Sequence, residues 1–172
     1  MRLNTRARYT LQLMVSVAHL SRNQEPISLD KVAQRARLSR RYLEQLASVL
    51  RGKSLLRSVP GRSGGYALAR PAKTISVGEI IEASIGPITI VECVERPEKC
   101  MAAEVCACRP FYQLLNQRVS AMLNDYTLAD LVDEGWRARA RRELEGIASE
   151  PIPRSRRTSR PQRALDHPGG KT

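Results

Sequence analysis

Four cysteines stand close together in the second half of the sequence, and the chain has no others. They are Cys93, Cys100, Cys106 and Cys108, with the spacing C-x6-C-x5-C-x-C. Thiolates are common protein ligands of zinc and of iron–sulfur clusters. Tetrahedral zinc sites usually draw their ligands from two close pairs, and here only the last pair is close. The wide spacing favours an iron–sulfur cluster, with zinc or a thiol redox switch as alternatives.

The chain carries no sign of export or membrane insertion. Its first six residues, MRLNTR, lack the apolar segment of a signal peptide. No stretch approaches the roughly 20 apolar residues that a membrane span requires. We therefore expect a cytoplasmic protein, and that setting disfavours structural disulfides between the four thiols.

The positive charge of the chain is concentrated at its two ends. The 172 residues carry a formal net charge of +12. Residues 1–70 contain 14 Lys/Arg and 3 Asp/Glu, residues 71–150 contain 9 and 13, and residues 151–172 contain 6 and 1. A basic folded module suits nucleic acid, because phosphate binding releases counterions. An acidic lipid surface or simple solubility is the alternative reason for the basic first part.

Hydrophobic spacing predicts a helix over residues 5–21 and two shorter helices after it. Ser28 and Ser39 are placed as N-caps of that pair, and Gly52 is placed to end it. Two short helices with a turn of three or four residues are typical of a helix-turn-helix, whose second helix reads the major groove. Its candidate DNA-binding residues are Ser39, Arg40, Arg41, Tyr42, Glu44, Gln45 and Arg51. An ordinary helix pair with a solvated basic face is the alternative.

A glycine-rich hairpin is predicted directly after the helix pair. Residues 60–65 (PGRSGG) form its loop, between a strand that ends at Val59 and a strand over residues 66–69. After a helix-turn-helix, such a hairpin is typical of a wing, whose glycines allow close approach to DNA. Arg62 at its tip is the candidate contact to the minor groove or to a phosphate. A plain surface hairpin is the alternative.

The rest of the chain is predicted to be helical around the cysteines. Ser76 with Glu79, and Thr127 with Asp130, are capping boxes, the second leading a last helix through Trp136. Residues 92–108 are predicted to be a loop, and a long amphipathic helix follows from Pro110 to about residue 126. Such a helix outside a small DNA-binding domain most often forms a dimer interface, and packing onto its own domain is the alternative.

Together these elements predict a mainly α fold with a small β-wing. We assign residues 1–87 to a winged helix-turn-helix DNA-binding domain and residues 88–108 to a cysteine-rich cluster loop. Residues 109–146 are assigned to the dimerisation helix and a C-terminal helix, and residues 147–172 to a disordered basic tail. The sequence shows neither a nucleophile–base pair nor a phosphate loop, so we do not expect an enzyme.

Several motifs, in this order, resemble one bacterial family of winged-helix regulators. They are MRL at 1–3 with RY at 8–9, SRRYLEQL at 39–46, GGYALA at 64–69, VGEII at 77–81, three of the cysteines and TLADL at 127–131. Over residues 1–135 the chain is similar to the iron–sulfur regulators of the IscR/NsrR type. The resemblance implies a transcription regulator that binds a palindromic operator as a homodimer, with crossed long helices and two wings.

The resemblance also implies which residues act on DNA and how binding is controlled. Arg41, Tyr42, Glu44 and Gln45 would lie in the major groove, with Arg62 at the wing tip. A cluster near the dimer helix would tune the affinity for DNA in response to iron–sulfur status, redox state or nitric oxide. A 2Fe–2S cluster is favoured, with 4Fe–4S as the other choice.

Two positions depart from the family pattern for the fourth cluster ligand. Arg109 stands where IscR-like members have a histidine, and Arg8 stands where NsrR-like members have an aspartate. Cys108 is therefore the candidate fourth ligand, beside Cys93, Cys100 and Cys106. A small iron–sulfur carrier or electron-transfer protein is the alternative from another class, and it leaves the wing and the basic first part unexplained.

Overall fold

The computed structural model describes residues 4–21, 25–61, 64–99 and 105–149. Arg62 and Cys100 lie outside these ranges, as do residues 150–172 of the expected tail, and the predictions for them stay predictions. The elements are α1 (Thr5–Leu20), α2 (Leu29–Ala36), α3 (Arg40–Gly52), β1 (Leu56–Val59), β2 (Gly65–Leu68), α4 (Val77–Ile85), α5 (Glu92–Glu95), α6 (Arg109–Asp125), α7 (Leu128–Val132) and α8 (Trp136–Ser149). The expected mainly helical fold with a two-stranded wing is confirmed.

One aliphatic core holds the first three helices, the wing and α4 together. Its largest fully buried side chains are Leu13, Met14, Val17, Leu43, Leu46, Leu50, Leu55, Leu56, Ile75, Ile80 and, from α7, Leu128. Burying a Leu or Ile side chain contributes about 1.5–3 kcal/mol relative to exposure. Since α3 supplies Leu43, Leu46 and Leu50 to this core, one of its faces is fixed inward and the opposite face is left to solvent.

Side-chain caps set the starts of several helices. The Ser39 hydroxyl accepts the backbone N–H of Tyr42 at 3.3 Å and so opens α3. Both predicted capping boxes are present, at Ser76 and at Thr127. Ser28 stands at the N-cap of α2 as predicted, but its side chain makes no cap hydrogen bond.

The wing is attached to the helix-turn-helix by backbone contacts. β1 and β2 pair antiparallel, and beyond them Ile27, just before α2, exchanges two backbone hydrogen bonds with Tyr66, of 2.8 and 2.9 Å. Gly65 lies directly beside this bridge, with a φ of 154°. A Cβ at Gly65 would collide with the backbone carbonyl of Ile27, so only glycine allows the two segments to approach this closely.

Gly65→Ala should destabilise the protein by more than about 1 kcal/mol, because the new methyl group meets backbone that has no room to move. Gly52→Ala is the matched control: it lies at the end of α3 with no atom within 4 Å of the added Cβ. We expect that control to be neutral or slightly stabilising. Urea unfolding followed by circular dichroism measures both, and equal free energies of unfolding for the two variants would contradict the close approach.

The C-terminal end of α6 is fastened to the start of α4. The Val77 N–H donates to the carbonyl of Tyr126 at 2.9 Å, and the Ser76 hydroxyl donates to Oδ1 of Asn124 at 3.0 Å. A Cβ on Gly78 would collide with the same Asn124 oxygen. We call Ser76, Gly78 and Asn124 the α4–α6 junction, which holds α6 at one angle to α4.

Two hydrogen bonds to the Glu79 carboxylate also stabilise the first turn of α4. Nη2 of Arg70 donates to Oε1 of Glu79 at 2.7 Å, and the Ser76 N–H donates to Oε2 at 3.0 Å. Partial burial of Glu79 opposes ionisation, but these two hydrogen bonds outweigh it and hold the pKa of Glu79 below its ordinary value. A carboxylate also suits the positive end of the α4 dipole.

Two expectations about the second half of the chain need correction. The predicted loop over residues 92–108 contains one helical turn, α5, and a tighter turn at Pro97–Lys99. The helix expected to run through Trp136 ends at Val132, and α8 starts anew at Trp136. The reason is local: the Asp133 carboxylate accepts the N–H of Gly135 at 2.8 Å, a bond that competes with helix continuation.

The chain divides after Trp136 into two compact units, Met1–Trp136 and Arg137–Thr172. Within the first, the rings of Tyr126 and Trp136 pack edge to face with centroids 5.2 Å apart. In the second, the described part consists of the remainder of α8. No helix in the described ranges is long and apolar enough to cross a membrane.

Candidate nucleic-acid interface

The exposed face of α3 is polar and lies opposite the face that enters the core. Its exposed side chains are Arg40, Arg41, Glu44, Gln45, Ser48 and Arg51. All but Ser48 were among the residues predicted from the sequence. Ser48 follows Glu44 by four positions and Arg41 by seven, so helical periodicity alone could have found it. The predicted N-cap Ser39 is also exposed, with its hydroxyl engaged by the first turn of α3.

Tyr42 differs from the other predicted residues because it is half-buried. Its ring packs edge to face on Tyr9 of α1, with centroids 5.9 Å apart and an interplanar angle of 85°. The Arg8 guanidinium in turn lies 4.5 Å from the centroid of the Tyr9 ring. Tyr42 therefore helps to fix the first turn of α3 against α1, and its contact with DNA stays a prediction.

Arg40 is bound to two carboxylates. Its Nε donates to Oε1 of Glu44 at 3.0 Å, and its Nη1 donates to Oδ1 and Oδ2 of Asp30 at 3.1 and 2.9 Å. The hydrogen bond to Glu44 and the attraction of Asp30 raise the pKa of Arg40 further above its ordinary value. The three side chains are 60%, 50% and 57% exposed for Arg40, Glu44 and Asp30, so the network lies on the surface.

The wing lies next to this network. A surface cavity of about 460 Å³ separates the start of α3 from the wing, and Arg40, Glu44, Gly64 and Tyr66 are among its lining residues. Arg57 of β1 is an exposed positive charge that sequence reasoning missed, and it lines a different cavity, with Ala18 and Ser21 at the end of α1. The start of α3 and the wing therefore line one cavity on the same side of the domain.

Two of the three described cysteines lie at the start of α6, and the third lies in α5. Cys93 is in α5, Cys108 is the N-cap of α6, and Cys106 lies two residues before it. Cys93 and Cys106 are half-buried, Cys108 is exposed, and all three are free thiols. Within the described ranges, which omit Cys100, no three His, Cys, Asp or Glu side chains form a group that could hold a metal ion.

A buried donor stands beside the cysteines in the chain. Nε of Arg109, the residue after Cys108, is buried and has no hydrogen-bond partner among the described residues. An N–H of this kind suits a thiolate or a cluster sulfur, since hydrogen bonds to sulfur tune such sites. Free thiols are ligands of zinc as well as of iron–sulfur clusters, so the chemistry of these residues fits either group.

α6 exposes apolar side chains along one face. Phe111 is 63% exposed, Leu114 61% and Met122 59%. On the adjacent face, Val119 and Leu123 pack against a small second core formed with α4. Oδ1 of Asn116 accepts the backbone N–H of Ile90 at 3.0 Å, which ties the segment before α5 to the middle of α6.

The chain is similar to known bacterial regulators over most of its length. Residues 3–134 match the family model Rrf2, described as an iron-dependent transcriptional regulator. The chain is 38% identical over 133 residues to the HTH-type transcriptional regulator IscR of Erwinia tasmaniensis, which covers 77% of this chain and 79% of that protein.

Solved structures show the same fold. CymR, the global cysteine regulator of B. subtilis, matches with a TM-score of 0.64 and 34% identity, over 77% of this chain and 96% of that chain. T. potens IscR matches with a TM-score of 0.63 and 28% identity, over 88% of this chain and 93% of that chain. The expected resemblance is confirmed, and the names of these relatives point to more than one kind of signal.

Proposed function

The chain belongs to the Rrf2 family of transcriptional regulators, and from this premise we propose that it binds its operator as a homodimer under the control of an iron–sulfur cluster. It is a DNA-binding regulator and not an enzyme. The observation that carries the proposal is the division of α3 into a buried aliphatic face and an exposed polar face beside a wing.

On DNA, the exposed face of α3 enters the major groove. Arg41 and Gln45 stand one turn apart near its start, where side chains of a recognition helix reach base edges. Arg can bond guanine and Gln can bond adenine in two-point fashion. We expect Arg51, two turns beyond Glu44, to bind a phosphate, and Arg62 of the predicted wing loop to enter the minor groove.

The partner of the exposed apolar face of α6 is a second copy of the chain. Exposed apolar patches of this kind usually mark interaction sites, and a two-fold operator requires a two-fold protein. Pairing through α6 covers Phe111, Leu114 and Met122. It also sets the separation of the two recognition helices, which must match half-sites about 34–36 Å apart.

Cys93, Cys106 and Cys108, together with Cys100, are the residues that would hold the cluster, with 2Fe–2S favoured. When bound, the cluster would supply a redox-sensitive and removable link between α5 and the start of α6. The buried Arg109 Nε–H, which has no partner among the described residues, is the donor that we propose for a sulfur of the site. The Asn116–Ile90 hydrogen bond then connects the order of the cysteine segment to the position of the dimer helix.

A second candidate keeps the fold and assigns the cysteines to zinc or to a thiol switch. The observation that favours it is the similarity to CymR, which is named as a cysteine regulator. Both candidates retain DNA binding through α3 and differ only in what the four thiols do.

Cys106→Ala should remove the visible absorption of protein purified without oxygen and change operator affinity about 5- to 150-fold, the usual range for coupling between two sites. Iron, sulfide and zinc are assayed on the same samples, and Val105→Ala, an exposed neighbour, is the matched control. The cluster is supported if iron and sulfide are present in equal amounts in the wild type, and likewise in the control. Colourless wild-type protein with stoichiometric zinc, or with no metal after reconstitution, supports the second candidate.

A further inference from the structure

The recognition helix begins with an unfavourable charge pattern. α3 starts with Arg40 and Arg41, and its first turn contains no acidic residue. The N-terminal end of a helix carries a partial positive charge, so cations are disfavoured there. A neutralising partner for Arg40 must therefore come from elsewhere, and the structure provides two.

The two partners hold the guanidinium in different ways. Asp30 belongs to the preceding helix α2, and both of its carboxylate oxygens accept hydrogen bonds from Nη1 of Arg40, at 3.1 and 2.9 Å. Glu44 lies one turn further along α3, and its Oε1 accepts a hydrogen bond from Nε of Arg40 at 3.0 Å. Arg40 thus bridges the two helices of the helix-turn-helix, and two of its donor nitrogens are committed before DNA arrives.

The more consequential partner is Glu44. A carboxylate on the groove-facing side of a recognition helix is repelled by the phosphates unless a cation neutralises it. Arg40 supplies that cation and fixes one oxygen, Oε1, which leaves Oε2 to accept from a base. The base edge that offers a donor to a carboxylate in the major groove is the N4 amino group of cytosine.

We propose that Arg40 is a positioning residue that acts on DNA through Glu44, fixing its carboxylate to select cytosine at one position of each half-site. Asp30 orients Arg40 from α2 and so contributes to base selection without touching DNA. The proposal rests on DNA binding through α3, as proposed above. It changes the role of Arg40 from a direct DNA contact, as predicted from the sequence, to a residue that positions Glu44.

A double-mutant cycle on the full chain tests the proposal. Four proteins are compared: wild type, Arg40→Gln, Glu44→Gln and the double variant. Each selects from a random duplex library. The affinities of all four for the best duplex recovered by the wild type are then measured at one salt concentration. We expect Arg40→Gln to lower the affinity for DNA about tenfold when Glu44 is present, and by less than about threefold in the Glu44→Gln background. Cytosine preference should weaken at the same position in both single variants.

Arg40→Lys separates charge from orientation. A lysine keeps the positive charge but lacks the fork that meets two carboxylates at once. Its affinity should stay within about threefold of wild type, while the cytosine preference weakens as in Arg40→Gln. The two altered side chains are on the surface, with Arg40 60% and Glu44 50% exposed. Melting curves check that every variant folds.

Three results would overturn the proposal. Equal losses from Arg40→Gln with and without Glu44 would show that Arg40 contacts DNA independently. A change of preference at a position that Glu44→Gln leaves untouched would make Arg40 a base reader. A wild-type chain that selects no sequence would overturn the proposed function itself, and this inference with it.

Discussion

Leu114→Glu together with Met122→Glu should turn the protein into a monomer and lower its operator affinity at least about 100-fold. Both side chains are about three-fifths exposed on the apolar face of α6, at 61% and 59%. Two carboxylates on each copy would be buried against apolar surface and against each other, which is strongly unfavourable. The loss on DNA follows because linked half-site binding raises the apparent affinity by roughly 10²–10⁴.

Gln113→Glu with Gln117→Glu is the charge-matched control, since it adds the same two carboxylates to α6 away from that face. Sedimentation velocity gives the oligomeric state and fluorescence anisotropy gives the affinity. A double variant of Leu114 and Met122 that stays dimeric would place the interface elsewhere. A monomer with undiminished operator affinity would contradict the need for two linked recognition helices.

Arg41→Ala with Gln45→Ala should remove most of the sequence selection, leaving weak, salt-sensitive DNA binding and the cytosine preference proposed for Glu44. Each two-point base contact contributes about 1–3 kcal/mol of discrimination, and a homodimer loses every contact twice. Arg57, Arg51 and the wing keep their charges, so attraction to phosphates persists. The expected result is a ratio of operator affinity to random-duplex affinity far below that of the wild type, measured by anisotropy over a salt series.

Lys73→Ala controls for the lost positive charge, because Lys73 is exposed on the turn before α4 and is not part of the proposed recognition face. It should leave the preference for operator unchanged. Arg41→Ala with Gln45→Ala would refute the proposed recognition face if it kept the wild-type ratio of operator to random-duplex affinity.

Local signals in the sequence were enough to predict much of the fold. The capping boxes at Ser76 and Thr127, the serine before α3 and the glycine-rich wing depend on residues within a few positions of one another. The helix-turn-helix also followed from its apolar spacing. These features are determined by short-range hydrogen bonds and by one buried face, which periodicity reveals.

Features that depend on tertiary neighbours were not predictable in the same way. The Arg40–Asp30 bond spans two helices, and the packing of Tyr42 on Tyr9 depends on how α1 lies against α3. The break before α8 came from a single side-chain hydrogen bond at Asp133, which periodicity does not register. For the cysteines, the ligand chemistry stays a prediction from the sequence, whereas the helical turn that carries Cys93 became visible only in the structure.

The α4–α6 junction bears on the length of the operator as well as on its bases. In a dimer paired through α6, that junction keeps each recognition helix at a set distance from the two-fold axis. α6 has 17 residues and is therefore about 25 Å long, so a change of 5° in its crossing angle displaces its far end by only about 2 Å. One added base pair between the half-sites shifts them by about 3.4 Å and rotates them by roughly 35°. An operator with correct half-sites and one extra central base pair should therefore be a poor site.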